Sequence, residues 1–129
     1  MLGSANFGSS FVIADLEAGI GTLTRLQSET IDIVIVLVEP TPRSIEVAHR
    51  AIELARHRAQ GRVVVVANRV TCDDDVERIS TGLPGAEIVV VPDDAAVMEA
   101  DRRGVSPLDS APGSPAVVAL EGLAALLVP

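Results

Sequence analysis

The stretch IVIVLVEPTPRS, residues 33–44, decides the fold class because it joins a strand directly to a helix. Its first six residues are apolar and mostly β-branched, a pattern typical of a strand covered on both faces in a parallel sheet. Glu39 and Pro40 then form a turn, Thr41 can cap a helix, and Pro42 suits the first helical position. The stretch therefore predicts a buried strand that is followed at once by an α-helix.

The same alternation continues on both sides of this stretch. Three further apolar runs predict strands, at residues 11–14, 63–67 and 88–91. Helical spacing or capping signals predict helices at residues 44–60, 74–80, 95–103 and 114–127. Alternating strands and helices are typical of βαβ units. We therefore predict an α/β fold in three layers, with a mostly parallel sheet of about four strands between flanking helices.

Composition narrows the class of protein. The 129 residues suit one domain, and residues 1–10 are expected to be disordered or extended. The formal net charge is −8, and all ten basic residues are arginine, so nonspecific nucleic-acid binding is not expected. One cysteine and no signal peptide indicate a cytoplasmic protein. The longest apolar run is too short for an integral membrane segment.

Polar residues follow each predicted strand. Because the carboxyl ends of parallel strands meet at one edge of a sheet, these residues form one candidate site. In chain order they are Asp15, Glu39-Pro40, Asn68-Arg69 and Pro92-Asp93-Asp94. The alternative is that strands end in loops, and loops are polar without any function.

Asp15 carries the most specific signal. A carboxylate at the tip of a buried strand can hold a water on Mg²⁺ beside the phosphates of a nucleotide. Gly19 would let a backbone N–H approach the terminal phosphate, because it has no Cβ. The alternative is an aspartate that caps the next helix.

Five segments, in this order and spacing, resemble a known family. They are residues 15–19, 36–44, 66–70, 91–94 and 99–104. Together they look like the Min-type and Par-type P-loop ATPases, and most like the accessory ATPases for maturation of carbon monoxide dehydrogenase. The resemblance implies a P-loop NTPase-like fold and a site for ATP and Mg²⁺.

The resemblance also assigns the two sides of that site. It implies that Asp15, with Gly19, lies on the Mg²⁺-water and phosphate side. It implies that Asn68, Arg69, Pro92 and Asp94 lie on the adenine side.

The departures from the family concern the phosphates and the metal. Family members begin with a strand and a glycine-rich loop whose lysines and N–H groups hold the phosphates. Only ten residues precede the predicted strand at 11–14, and the chain contains no lysine. The family's Cys-x-Cys metal pair is missing, since Cys72 stands alone elsewhere. We therefore expect residues 1–129 to form a single partial domain, the C-terminal half of such an ATPase.

Three functions are compatible with this pattern. The first is a truncated or degenerate domain that acts as a binding or interaction module, without ATPase activity of its own. The second is half of a nucleotide-dependent metallochaperone or partition-type ATPase, completed in trans by a chain that carries the phosphate loop. The third is a small α/β module for another ligand. ATP and Mg²⁺ are expected as cofactors only if another chain completes the site.

Partners are expected at the sheet. Without the phosphate-loop strand, residues 11–14 should pair directly with residues 33–38, because unpaired buried backbone groups cost about 1–3 kcal/mol each. The exposed edges that remain favour a homodimer or a complex with a partner chain. We expect no metal site: His49 and His57 suit a solvated helix face, and the acids at residues 73–75 suit a helix N-terminus.

Overall fold

The computed structural model describes residues 11–16, 31–58 and 61–128. Three strands and five helices follow one another within these residues. Their order is β1 (Ile33–Val38), α1 (Pro42–Arg58), β2 (Arg62–Val70), α2 (Asp73–Gly82), β3 (Glu87–Pro92), α3 (Ala95–Arg102), α4 (Pro107–Ser110) and α5 (Pro115–Leu127). The four predicted helices are all present, and the segment between the last two of them also contains the one-turn helix α4.

The strands form a parallel sheet in the order β1-β2-β3. Ile33 pairs with Arg62 at the start of the β1–β2 ladder, and Val38 pairs with Ala67 at its end. The central strand β2 is the most buried, with Val64 and Val65 both at 0% exposure. The predicted α/β class and parallel sheet are confirmed, with three described strands in place of about four.

Two aliphatic cores lie on opposite faces of the sheet. On one face, α1 and α2 cover the even-numbered side chains of β1, through residues such as Ile52 and Ile79. On the other face, α5 covers Val64 and Val66 of β2. The predicted arrangement in three layers is therefore confirmed.

Helix α1 begins where the local chemistry predicts. The N–H of Ser44 donates to Oγ1 of Thr41 at 3.3 Å, so Thr41 caps the helix. Pro42 takes the first helical position, where a missing N–H costs nothing. The hydroxyl of Ser44 also accepts a hydrogen bond from the N–H of Glu39 at 2.9 Å, which ties the helix start to the end of β1.

The prediction of a strand at residues 11–14 is wrong. Residues 11–16 contain no strand, and the described sheet has no strand beside β1 on the side away from β2. The predicted direct pairing of residues 11–14 with Ile33–Val38 is therefore also wrong. Ile13 is 80% exposed, which does not fit a buried strand. A short apolar run becomes a strand only when another strand satisfies its backbone groups, and sequence periodicity does not show whether one is available.

Candidate functional site

A cleft of about 250 Å³ lies at the carboxyl ends of the strands, on the face covered by α5. Its apolar lining consists of Leu37, Val66, Val91, Val97, Met98, Ala116 and Leu120. The other lining residues, which we call its rim, lie at the ends of β2 and β3: Asn68, Arg69, Pro92, Asp93 and Asp94. The four residues predicted for the adenine side thus line one cleft.

The end of β2 carries a β-bulge that shapes this rim. The pairing of β2 with β3 shifts register between Ala67 and Val70, which leaves Asn68 and Arg69 outside the regular ladder. Arg69 has φ 58°, in the left-handed region that residues with a Cβ rarely adopt. The bulge lets two consecutive side chains, Asn68 and Arg69, line the cleft, whereas successive residues of a regular strand point to opposite faces.

Arg69 links the ends of all three strands. Its Nε lies 3.4 Å from Oδ1 of Asp93, which follows β3, and its Nη1 lies 4.0 Å from Oε1 of Glu39, which follows β1. The three side chains are substantially exposed, so water and salt screen both ion pairs and their contribution to stability is small. Their effect on the site is to share the positive charge of Arg69 between two carboxylates.

Asp94, on the rim of the cleft, joins the starts of two helices. Its Oδ1 accepts a hydrogen bond from the N–H of Ala96, 2.9 Å away in the first turn of α3. Its Oδ2 accepts one from the N–H of Ala116, 3.0 Å away in the first turn of α5. The bond from Ala116, followed by the bond from Ala96, lowers the pKa of the Asp94 carboxyl. Both oxygens are therefore engaged by the fold, a role that the sequence analysis missed.

The predicted phosphate side consists of Asp15 and Gly19. Asp15 lies in the described segment 11–16, is exposed, and is not among the residues that line the cleft. Gly19 lies outside the described residues. The assignment of both residues to Mg²⁺ and phosphate stays a prediction.

The remaining candidates lie away from the cleft. His49 faces Glu53 at 3.8 Å on the exposed side of α1, His57 is exposed on the same helix, and Cys72 is exposed just before α2. In the described part of the chain, no cluster of three or more His, Cys, Asp or Glu side chains could hold a metal ion. None of the helices described is long and apolar enough to cross a membrane.

Sequence comparison relates the chain to ATP-binding proteins, although no family model matches it. It is 30% identical over 102 residues to the carbon monoxide dehydrogenase accessory protein CooC of Rhodospirillum rubrum, covering 78% of this chain and 39% of CooC. It is 32% identical over 120 residues to an uncharacterised ATP-binding protein of Methanocaldococcus jannaschii, covering 91% of this chain and 46% of that protein. A second such protein from that organism is 35% identical over 63 residues, covering 49% of this chain and 24% of its own length.

The chain spans less than half the length of each of these relatives. The identities are modest, but two of the three matches cover most of the chain. They confirm a relationship to P-loop ATPase-like proteins that include CooC, as the sequence motifs predict.

Proposed function

We propose, since the chain is related to ATP-binding proteins of the P-loop ATPase-like type, that residues 1–129 form the base-binding side of a nucleotide site and act as a binding module. The phosphate-binding part has to come from outside these residues. On its own the chain binds adenine compounds weakly and does not hydrolyse ATP. The proposal places the protein in the cytoplasm, where ATP is available, and assigns it no nucleic-acid partner.

One observation carries the base-binding part of the proposal. Asn68 and Arg69 lie at the end of β2, Pro92 and Asp94 lie at or just after the end of β3, and all four line the same cleft. The side-chain amide of Asn68 offers both a donor and an acceptor, which suits the edge of an adenine ring. The apolar lining suits the flat faces of such a ring, since small-molecule sites combine apolar walls with a few polar groups.

The composition supports the absence of ATP hydrolysis. Phosphoryl transfer depends on positive charge and N–H groups placed around the phosphates. These 129 residues contain no lysine and no glycine-rich phosphate loop. Most of the affinity of a P-loop site for ATP comes from the phosphates, so we expect a millimolar dissociation constant here, about −4 kcal/mol.

Strand β1, which is an edge strand in the sheet of residues 31–58 and 61–128, supports a role in association. Its residues IVIVLV contain neither proline nor charge, although natural edge strands use such residues to prevent pairing. Ile35 and Leu37 are 45% and 63% exposed, on the sheet face where α5 covers β2 but leaves these two β1 side chains uncovered. A strand of this composition normally has neighbours on both sides and helices on both faces. We therefore assign this edge to a second copy of the chain or to a partner chain.

Purified chain with ATP and Mg²⁺ provides the test of inactivity. We expect phosphate release no faster than in buffer alone. A turnover that survives further purification and disappears in Asp15→Ala would overturn the proposal, because it would show that a complete phosphate site exists in these residues. Calorimetry that yields a micromolar affinity for ATP would overturn the weak-binding part in the same way.

The edge of β1, which has no neighbouring strand among the described residues, also favours a second candidate, an ATPase completed in trans. In that case the partner contributes a strand and the phosphate loop. Adding the phosphate-loop part of CooC from Rhodospirillum rubrum as a separate polypeptide should then produce ATP turnover that neither polypeptide has alone. If the mixture stays inactive and the two polypeptides do not co-elute, this candidate fails and the binding module remains.

A further inference from the structure

The rim of the cleft carries more negative than positive charge. Arg69 is the one cation among the residues that line it, and Asp93 and Asp94 are the two acids. Glu39 adds a third carboxylate beside Arg69, at 4.0 Å. Arg69 already faces Asp93 and Glu39, so a phosphate at this rim would share the positive charge of Arg69 with two carboxylates.

Other charged groups near the strand ends do not reverse this balance. Arg78 donates from Nη1 to the carbonyl oxygen of Pro40 at 3.3 Å, so it lies at the carboxyl end of β1. However, it belongs to α2, which packs on the sheet face opposite the cleft. On α3, which borders the cleft, Arg102 is paired with Glu99 at 3.7 Å. Arg78 thus has a carbonyl oxygen as its partner, and Arg102 has a carboxylate.

The remaining lining of the cleft, in contrast, is neutral. It is apolar, and the uncharged amide of Asn68 belongs to the same cleft. Of the two acids on the rim, Asp94 directs both oxygens to backbone N–H groups of the fold, which leaves Asn68 as the polar group free to pair with a ring edge. The cleft therefore offers good contacts to an uncharged ring and poor contacts to a phosphate attached to it.

We infer that the cleft selects uncharged nucleosides over nucleotides, so that adenosine binds more tightly than AMP, and AMP more tightly than ATP. This inference rests on the proposed function, because that function places an adenine ring in the cleft. It reverses the order expected of a phosphate-binding site. Repulsion between exposed charges in water is modest, so at low salt we expect ATP to bind roughly threefold more weakly than adenosine.

A titration of the ¹⁵N-labelled chain followed by NMR measures this order. Adenosine, AMP and ATP are compared at pH 7 without Mg²⁺, at matched low ionic strength and again in roughly 0.5 M salt. Adenosine should shift the amide signals of Asn68, Val91 and Val97. Salt should improve the binding of ATP and leave that of adenosine unchanged, since a Debye length of about 4 Å screens the repulsion.

Charge-removing variants identify the source of the repulsion. Glu39→Gln and Asp93→Asn should each bring the affinity for ATP closer to the affinity for adenosine. Glu53→Gln is the matched control, because it removes one exposed carboxylate from α1 on the opposite face of the sheet. This control should leave the ratio of the two affinities as it is in the parent chain.

Three outcomes overturn the inference, and they differ in what they say about the proposed function. If ATP binds more tightly than adenosine, or loses affinity as salt rises, the cleft does bind phosphate: the inference fails, and so does the statement that the phosphate-binding part comes from outside these residues, whereas the assignment of the adenine ring to the cleft remains. If Glu39→Gln and Glu53→Gln change the ratio of the ATP and adenosine affinities equally, the rim is not the source of selectivity. In that case only the inference fails. If none of the three ligands shifts the cleft signals at millimolar concentration, the proposed function fails together with it.

Discussion

Arg69 combines a left-handed backbone with two ion pairs, and substitutions can separate these features. Both Arg69→Ala and Arg69→Gly remove the pairs with Glu39 and Asp93. Only glycine also removes the Cβ, which is unfavourable at φ 58°. We expect the glycine variant to be more stable than the alanine variant by about 1 kcal/mol in urea unfolding. Equal stabilities would mean that this residue adopts an ordinary backbone conformation in solution.

Asp94 should make stability depend on pH. Its pKa is lowered by the N–H groups of Ala116 and Ala96, so its contribution is complete above the ordinary aspartate pKa of about 3.9 and is lost as the pH falls through the lowered value. Asp94→Ala should therefore be less stable than the parent chain at pH 7, and the difference should shrink towards about pH 2. Thermal unfolding across this range measures the effect.

The neighbouring carboxylate provides the control for this experiment. Asp93 pairs only with the exposed Arg69 among the described residues, so Asp93→Ala should change stability little at either pH. Some acid sensitivity should persist in every variant, because the hydroxyl of Thr71 lowers the pKa of Asp75 and the guanidinium of Arg62 lowers that of Glu87. A constant difference between Asp94→Ala and the parent chain at all pH values would contradict the assigned role.

Residue positions at strand ends could be predicted from the sequence, whereas their partners could not. The rule that parallel strands end at one edge placed Asn68, Pro92 and Asp94 together. The rule says nothing about a bulge, so the conformation of Arg69 was missed. The aspartate before Ala95 is a recognisable N-cap signal for α3. Its second bond, to Ala116, joins residues 22 positions apart, and no local pattern reveals such a contact.

At the scale of elements, the start of β2 depends on a glycine. A Cβ on Gly61 would lie 2.6 Å from the carbonyl oxygen of Asp32 and closer still to that of Ile31. These are backbone atoms at the start of β1, where Asp32 also accepts a hydrogen bond from the N–H of Arg62. We expect Gly61→Ala to destabilise the chain by about 2 kcal/mol, because the two strands would have to move apart.

Gly122 provides a control, because substitution by alanine should raise the stability there instead of lowering it. It lies in the exposed middle of α5, and a Cβ there meets nothing within 4 Å. Gly122→Ala should stabilise the chain by about 0.4–1 kcal/mol, since alanine restricts the unfolded chain and favours the helix. Urea unfolding of both variants tests the pair. A Gly61→Ala variant as stable as Gly122→Ala would show that the close approach of the strands is not required.

Helices were easier to predict than strands because their signals are local. The start of α1 follows from Thr41 and Pro42, and that of α5 from Ser114 and Pro115. Strands need a neighbour that the sequence does not specify. Residues 33–38 and residues 11–14 have similar apolar runs, yet only the first has a described ladder partner.

For the whole molecule, the exposed face of β1 predicts association. We expect the parent chain to sediment as a dimer or larger species at tens of micromolar concentration. Ile35→Lys should shift it towards the monomer, because a charged residue on an edge strand opposes pairing. Val47→Lys is the control: Val47 is as exposed as Ile35, at 46% and 45%, but lies on α1. A parent chain that is strictly monomeric would exclude this prediction.

Helix α5 is attached to the sheet by opposite charges at its two ends. At the N-terminus it meets the carboxylate of Asp94, and at the C-terminus Nη1 of Arg62 donates to the carbonyl oxygen of Leu126 at 3.4 Å. Each charge has the sign that the helix dipole favours at that end. Between the ends, the contact is made by aliphatic side chains, which have no directional preference. The two charged contacts therefore fix the position of the helix along its axis, although its buried aliphatic surface alone would let it slide. Exchanges among valine, leucine and isoleucine beneath the helix should leave the wall of the cleft in place.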